Sequence, residues 1–362
     1  MISGKIKNYF PGGNTSEGFY SFYNYLPYEA ERIFIFKGGP GTGKSTFMKK
    51  TGKELVERGY DIEYHWCSSD NDSLDGLVIP ELKVALMDGT APHTVDPKFP
   101  GVVDEIINLG CYWNRAKLEK SKQKIIDLTQ SISRRFNGLY SYLQEARLVH
   151  DRWEEYYLEG MNFQKANHKT DKITKELLGY KKLADNVGAE RHLFGSAFTP
   201  KGVVDYFNNI TADLKSRYII KGRPGTGKST LMKQVAQDVL QKGYNVQYFH
   251  CSFDPASIDM IVIPKLDTAL IDGTAPHVVD AARIGDLVID MFECVAQDIY
   301  QKNLDKIKEV EDSYSHIMEK ALQELQIAKR LHDELEEYYI EAMDFTAVEA
   351  RREETMYEIV ES

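Results

Sequence analysis

The chain aligns with itself. Shifted by 184 residues, Lys37-Gly38-Gly39-Pro40-Gly41-Thr42-Gly43-Lys44-Ser45-Thr46 falls on Lys221-Gly222-Arg223-Pro224-Gly225-Thr226-Gly227-Lys228-Ser229-Thr230. Asp88-Gly-Thr-Ala-Pro-His93 likewise falls on Asp272-Gly-Thr-Ala-Pro-His277, and Thr15, Gly18 and Phe22 meet Thr199, Gly202 and Tyr206. Further on the offset becomes 182, where His150 and Glu154-Glu-Tyr-Tyr157 meet His332 and Glu336-Glu-Tyr-Tyr339. A period this long is far beyond that of a solenoid, so each copy is expected to be a domain with its own core. The boundary falls near residue 190, giving 1–190 and 191–362.

Both copies read in the same order. A short opening segment ends in Thr-x-x-Gly, a pattern able to cap a brief helix. Arg32-Ile-Phe-Ile-Phe36, like Tyr218-Ile-Ile220, is a compact apolar run entering the glycine loop, as a buried parallel strand would. Ser45 to Arg58 continues as an amphipathic helix stopped by Gly59, Asp61–Trp66 is a second strand and Val84–Met87 a third. This order predicts an α/β fold: two tandem doubly wound domains on mostly parallel sheets. The rest of each copy, about 102–184 and 286–362, repeats Lys, Glu, Leu, Ile and Gln at helical spacing, which predicts a long α-helical hairpin in each.

Gly38-x-x-x-x-Gly43-Lys44-Ser45 and Gly222-x-x-x-x-Gly227-Lys228-Ser229 are complete phosphate-binding loops. Glycines let successive backbone N–H groups curl around phosphates, and the following helix turns its positive end toward them. Lys44 and Lys228 are expected to reach the β and γ phosphates of ATP, while the hydroxyls of Ser45 and Ser229 ligate Mg²⁺. Both loops keep the lysine and the hydroxyl, so both are expected to bind. Gly39 against Arg223 is a difference that adds a cation to the second.

Pro-Gly-Thr-Gly-Lys-Ser-Thr in this strand–loop–helix setting resembles the P-loop NTPases, with wording closest to AAA and RecA-like ATPases. The likeness covers roughly 10–100 and 194–284, and the tandem form resembles a group of bacterial P-loop ATPases. No Asn-Lys-x-Asp for guanine and no Leu-Ser-Gly-Gly signature is present, which argues against GTPases and ABC ATPases. The resemblance implies that Asp88 and Asp272, which end apolar runs, hold the magnesium through water; alternatively each begins a turn before glycine. In both copies glycine stands next, where many AAA proteins carry a catalytic glutamate. RecA-like ATPases place an acidic residue after the second strand to orient the attacking water, a position matched by Asp70 and Asp254, with Asp75 and Asp259 in reserve. The other reading of these aspartates is a cap. His93 and His277 are candidates to sense the γ-phosphate or pass on a proton, the alternative being structural donors. Arg32, Arg217 and Arg223 are unranked candidates for an arginine finger.

Charge and composition narrow the function classes. Lys+Arg 45 against Asp+Glu 55 gives a net charge of -10, which argues against a chain built to grip nucleic acid or acidic lipid. No apolar run follows the first lysines and no stretch approaches a membrane span, and the four cysteines lack CxxC spacing. The expectation is a cytoplasmic protein. Residues 102–184 carry a net of +4 and residues 286–362 a net of -13, so one arm is suited to dock on the other, within the chain or between chains; nucleic acid on the basic arm (Lys117, Lys120, Lys122, Lys124, Arg134, Arg135) is the weaker reading. The function expected is an ATPase that moves its helical arms. The alternatives are a nucleotide or nucleoside kinase-like phosphotransferase and an ATP-gated scaffold with negligible turnover.

Overall fold

The computed structural model describes residues 3–91, 93–179 and 184–361, so Pro92 of the first Asp-Gly-Thr-Ala-Pro-His and residues 180–183 of the expected first hairpin lie outside it. In the first copy the strands are β1 (Ile6–Tyr9), β2 (Gly12–Thr15), β3 (Gly18–Ser21), β4 (Arg32–Lys37), β5 (Ile62–Trp66), β6 (Leu74–Ile79), β7 (Val84–Asp88) and β8 (Asp104–Asn108). Its helices are α1 (Lys44–Glu57), α2 (Arg115–Lys120), α3 (Lys122–Leu158) and α4 (Phe163–Leu178). The second copy repeats them as β9 (Glu190–Phe194), β10 (Ser196–Thr199), β11 (Gly202–Asp205), β12 (Ser216–Lys221), β13 (Val246–His250), β14 (Ile258–Ile263), β15 (Thr268–Asp272) and β16 (Asp286–Asp290). Its helices are α5 (Phe207–Ile210), α6 (Lys228–Gln241), α7 (Gln297–Ile340) and α8 (Phe345–Val360).

Each copy builds a six-stranded mixed sheet, in the order β1-β5-β6-β7-β4-β8 and its counterpart β9-β13-β14-β15-β12-β16. The pairs β1/β5, β4/β7 and β4/β8 are parallel, while β6 runs antiparallel to both β5 and β7. The sheets are therefore less parallel than the sequence suggests. The reason is chain length: residues 67–73 and 80–83 are too few for a crossover helix, so β5, β6 and β7 form a meander. Lys83 closes the second turn in the left-handed region (φ 54), as Asp267 does in its copy (φ 50). Thr-x-x-Gly turns out to close the small β2/β3 and β10/β11 hairpins rather than a helix: the Thr15 hydroxyl donates to the Gly18 carbonyl (2.9 Å) and accepts from the Glu17 N–H (3.1 Å).

The two copies meet at their first strands. Phe10 and Phe194 exchange both backbone hydrogen bonds (3.0 Å each), and the buried Arg191 guanidinium grips the partly buried Glu63 carboxylate through two bonds of 2.9 and 2.6 Å.

The long helices do not fold back within their own copies. After Gly160–Asn162 the short α4 leaves α3 and enters the other copy's core, where Ala166, Ile173 and Leu178 pack with Leu231, Val235 and Val239 of α6. Reciprocally, Val348, Met356 and Ile359 of α8 pack with Phe34, Phe47, Leu55 and Leu86 of the first copy. The two long helices pair antiparallel with each other instead. Leu139 and Leu143 of α3 meet Ala321 and Leu325 of α7, and Ala146 and Val149 meet Val310 and Ile317. Lys124–Glu334, Arg135–Glu324 and Lys302–Glu159 flank this seam, so the basic arm does dock on the acidic one, within the chain. The hairpin periodicity was real, but an apolar stripe on each helix finds its partner in the opposite copy. Among the described residues no helix is long and apolar enough to cross a membrane.

Candidate functional site

Each sheet delivers a glycine loop from the end of an inner strand, next to the edge, to the start of a helix, between β4 and α1 and between β12 and α6. Gly43 and Gly227 are the residues preceding these helices, with φ of 93° and 83°, a conformation costly for any side chain. Neither supplies a side-chain cap, which leaves the first-turn N–H groups directed along the helix axis at the loop. The Lys44 ammonium donates to the carbonyls of Gly38 (2.9 Å) and Gly39 (2.8 Å) and lies 3.6 Å from Asp88 Oδ2. Lys228 repeats this with Gly222 and Arg223 (3.0 Å each) and Asp272 (3.5 Å). The Thr42 and Thr226 hydroxyls tie the loops by donating to the carbonyls of Gly39 (2.8 Å) and Arg223 (2.7 Å).

Ser45 Oγ accepts the Leu74 N–H and Ser229 Oγ the Ile258 N–H (2.9 Å each), which fixes both hydroxyls at the start of the inserted strand. Asp88 and Asp272 end the strand beside the loop and accept the N–H of Thr90 (2.9 Å) and Thr274 (3.0 Å). Both proposed roles of these aspartates are thus compatible with one geometry, since the turn uses Oδ1 and leaves Oδ2 toward the lysine. Pro40, Thr46, Pro224 and Thr230 complete the two loops and their first helical turns.

The reserve carboxylates lie deeper than the first choices. Asp75 and Asp259 are buried on β6 and β14. Burial, then the neighbouring Asp88 charge, pushes the Asp75 carboxyl up to about 7. His93 Nε2 stands 3.6 Å from Asp75, and burial pulls its ring down to about 4. In the second copy the contact closes to 2.9 Å between His277 and Asp259; burial opposes the charged ring there, but the Asp259 and Asp272 carboxylates outweigh it and the ring's pKa rises. The shifts of the two histidines therefore run in opposite directions, downward at His93 and upward at His277.

Asp70 and Asp254 are tied into turns. Asp70 accepts from Ser73 Oγ (2.9 Å) and the Asp72 N–H (3.2 Å), and Asp254 from Ser257 Oγ (2.8 Å) and the Ala256 N–H (3.2 Å). Each also faces a cation from the other copy's arm, Lys329 at 3.5 Å and Arg147 at 2.7 Å. Lys329 and Arg147 are equivalent positions of the two arms. The finger candidates Arg32 and Arg217 stand at the opposite ends of their strands, where Arg32 pairs with Glu105 and Glu358, and Arg217 with Asp286.

The arms also reach the glycine loops themselves. The Gly41 N–H donates to Glu336 Oε1 (3.1 Å), and a side chain on Gly41 would meet the Glu336 carbonyl at 2.8 Å. A side chain on Gly39 would strike the Tyr339 ring at 2.8 Å, a reason for glycine where the second copy has Arg223. A side chain on Gly225 would meet the Glu154 carbonyl at 2.7 Å. These arm residues were visible in the sequence only as the matched His150/Glu154 and His332/Glu336, and nothing in the chain announces that each serves the opposite copy.

Comparison with known proteins gives one local likeness: the family model described as Nephrocystin 3, N-terminal, matches residues 205–260, a stretch that contains the second glycine loop. No curated protein and no solved structure matches the chain.

Proposed function

We propose that the protein binds Mg·ATP at both glycine loops and hydrolyses it, as a tandem P-loop ATPase of AAA/RecA-like type. The observation that carries this reading is the duplicated convergence of an uncapped helix start, a lysine, a serine hydroxyl and a strand-end aspartate on one left-handed glycine turn. The backbone N–H groups of Gly41 to Ser45 and of Gly225 to Ser229 would take the phosphates, and Lys44 and Lys228 would leave their loop carbonyls for the β and γ oxygens. The donor set beside each loop suits a hard cation: a serine hydroxyl and a carboxylate, Ser45 with Asp88 and Ser229 with Asp272. Magnesium bound there supplies charge neutralisation at the phosphates.

For the attacking water, Asp75 and Asp259 fit better than Asp70 and Asp254. The Asp75 carboxyl, pushed up to about 7, is suited to accept a proton and Asp259 is its equivalent, whereas the other pair is engaged by turn N–H groups and arm cations. His93 and His277 neighbour these carboxyls, at 3.6 and 2.9 Å, and would pass the proton on.

Incubation with γ-labelled ATP and Mg²⁺ tests the proposal, using wild type, Lys44→Ala, Lys228→Ala and the double variant. Free phosphate released by wild type and abolished in the double variant is the expected result. Label that stays on ATP in the wild type removes hydrolysis. Label that moves to an added nucleoside or nucleotide makes the enzyme a phosphotransferase.

A further inference from the structure

Each glycine loop is met by a glutamate from the opposite copy. At the first loop the Gly41 N–H donates to Glu336 Oε1 at 3.1 Å, and α7 passes so close that its backbone carbonyl at Glu336 lies 2.8 Å from where a Gly41 side chain would begin. At the second loop the equivalent Glu154 stands against Gly225 in the same way, its backbone carbonyl 2.7 Å from where a Gly225 side chain would begin. Glu154 and Glu336 are equivalent residues, each ending a long helix that began in the other copy. The close approach of this glutamate to the loop glycine thus occurs twice, at sites whose surroundings differ, which marks it as a feature of the fold.

A backbone N–H at the start of a helix is an anion donor, and a carboxylate oxygen is the nearest side-chain equivalent of a phosphate oxygen. A phosphate chain bound to the Gly41 N–H and Glu336 in its present place would put two anions on one donor. We infer that Glu336 and Glu154 are internal competitors of the nucleotide: each arm tip holds the opposite glycine loop, and ATP must displace it to bind. The inference rests on the proposed nucleotide site.

The competition has a direct signature, a gain of affinity on deleting an acidic side chain. Titration of the full chain with Mg²⁺ and a non-hydrolysable ATP analogue compares wild type with Glu336→Ala, Glu154→Ala and the double variant. Glu336→Gln keeps the shape while removing the charge, and Glu337→Ala, an exposed neighbour on the same helix, is the control. Each alanine variant should tighten one of the two sites roughly tenfold, the factor expected for losing one competing charge-assisted hydrogen bond, with Glu336→Gln between and Glu337→Ala unchanged. Hydrogen exchange should also show residues 332–341 losing protection when the analogue binds wild type. Binding by wild type that is unchanged or weakened in the alanine variants overturns the competition and leaves the nucleotide site standing. A chain in which neither wild type nor the double variant binds overturns both.

Discussion

Truncating Ile359 tests the crossing of the arms. This residue belongs to the second copy by sequence, yet its side chain is 1% exposed in the core of the first sheet, among Phe34, Leu86, Val348 and Met356. Ile359→Ala removes three carbons from that core and leaves a cavity, a loss of about 2–5 kcal/mol. With tenfold in an equilibrium for each ~1.4 kcal/mol, amides that exchange through opening of the first core should speed up by roughly 30-fold or more. Hydrogen exchange read by mass spectrometry on peptides covering β4, β7 and β8 measures this directly. Peptides covering β12, β15 and β16 should change far less, because their core receives Ile173 of α4 instead. Ile173→Ala should reverse the pattern. Faster exchange of the second sheet in Ile359→Ala, with the first unaffected, would refute the crossed packing.

Two further outcomes follow from buried charges. Burial alone would raise the Glu63 carboxyl, but the Arg191 guanidinium holds it well below the usual carboxylate range. Its contribution to stability is therefore present above an unfolded pKa of about 4.3 and is lost as pH falls below it. Glu63→Gln strands Arg191 and should cost about 3–5 kcal/mol at pH 7, with a smaller deficit at pH 3, as read from urea midpoints. Asp75 has the opposite sign: its pKa is raised to about 7, so its folded form holds a proton that the unfolded chain releases near pH 4. Stability should fall as pH rises between about 4 and 7, by at most ~1.4 kcal/mol per pH unit from this group, and Asp75→Asn should flatten that part of the profile.

The duplication, the central strands, the glycine loops and the helix after them were legible because each is a local pattern: an apolar run, a turn that only glycine permits, a 3.6-residue period. The inserted strand β6 was not, since Leu74-Asp75-Gly76 carries a charge and a glycine where a buried strand is expected to be apolar. Asp75 is tolerated there through His93 and the neighbouring site, a contact made only in three dimensions. The arms were legible as helices but not as partners. A stripe such as Leu139, Leu143 and Ala146 is equally suited to its own copy and to the other, and the choice falls to tertiary packing and to the opposite charges of the two arms. The crossing moved Lys329, Arg147, Glu336 and Glu154 to sites that their positions in the chain do not suggest.

Two nucleotide sites in one chain should show in the stoichiometry of binding. Equilibrium dialysis of the full chain against Mg²⁺ and ATP analogue should give two molecules per chain, one in Lys44→Ala or Lys228→Ala, and none in the double variant. Undiminished binding in the double variant, or none in the wild type, would contradict the account.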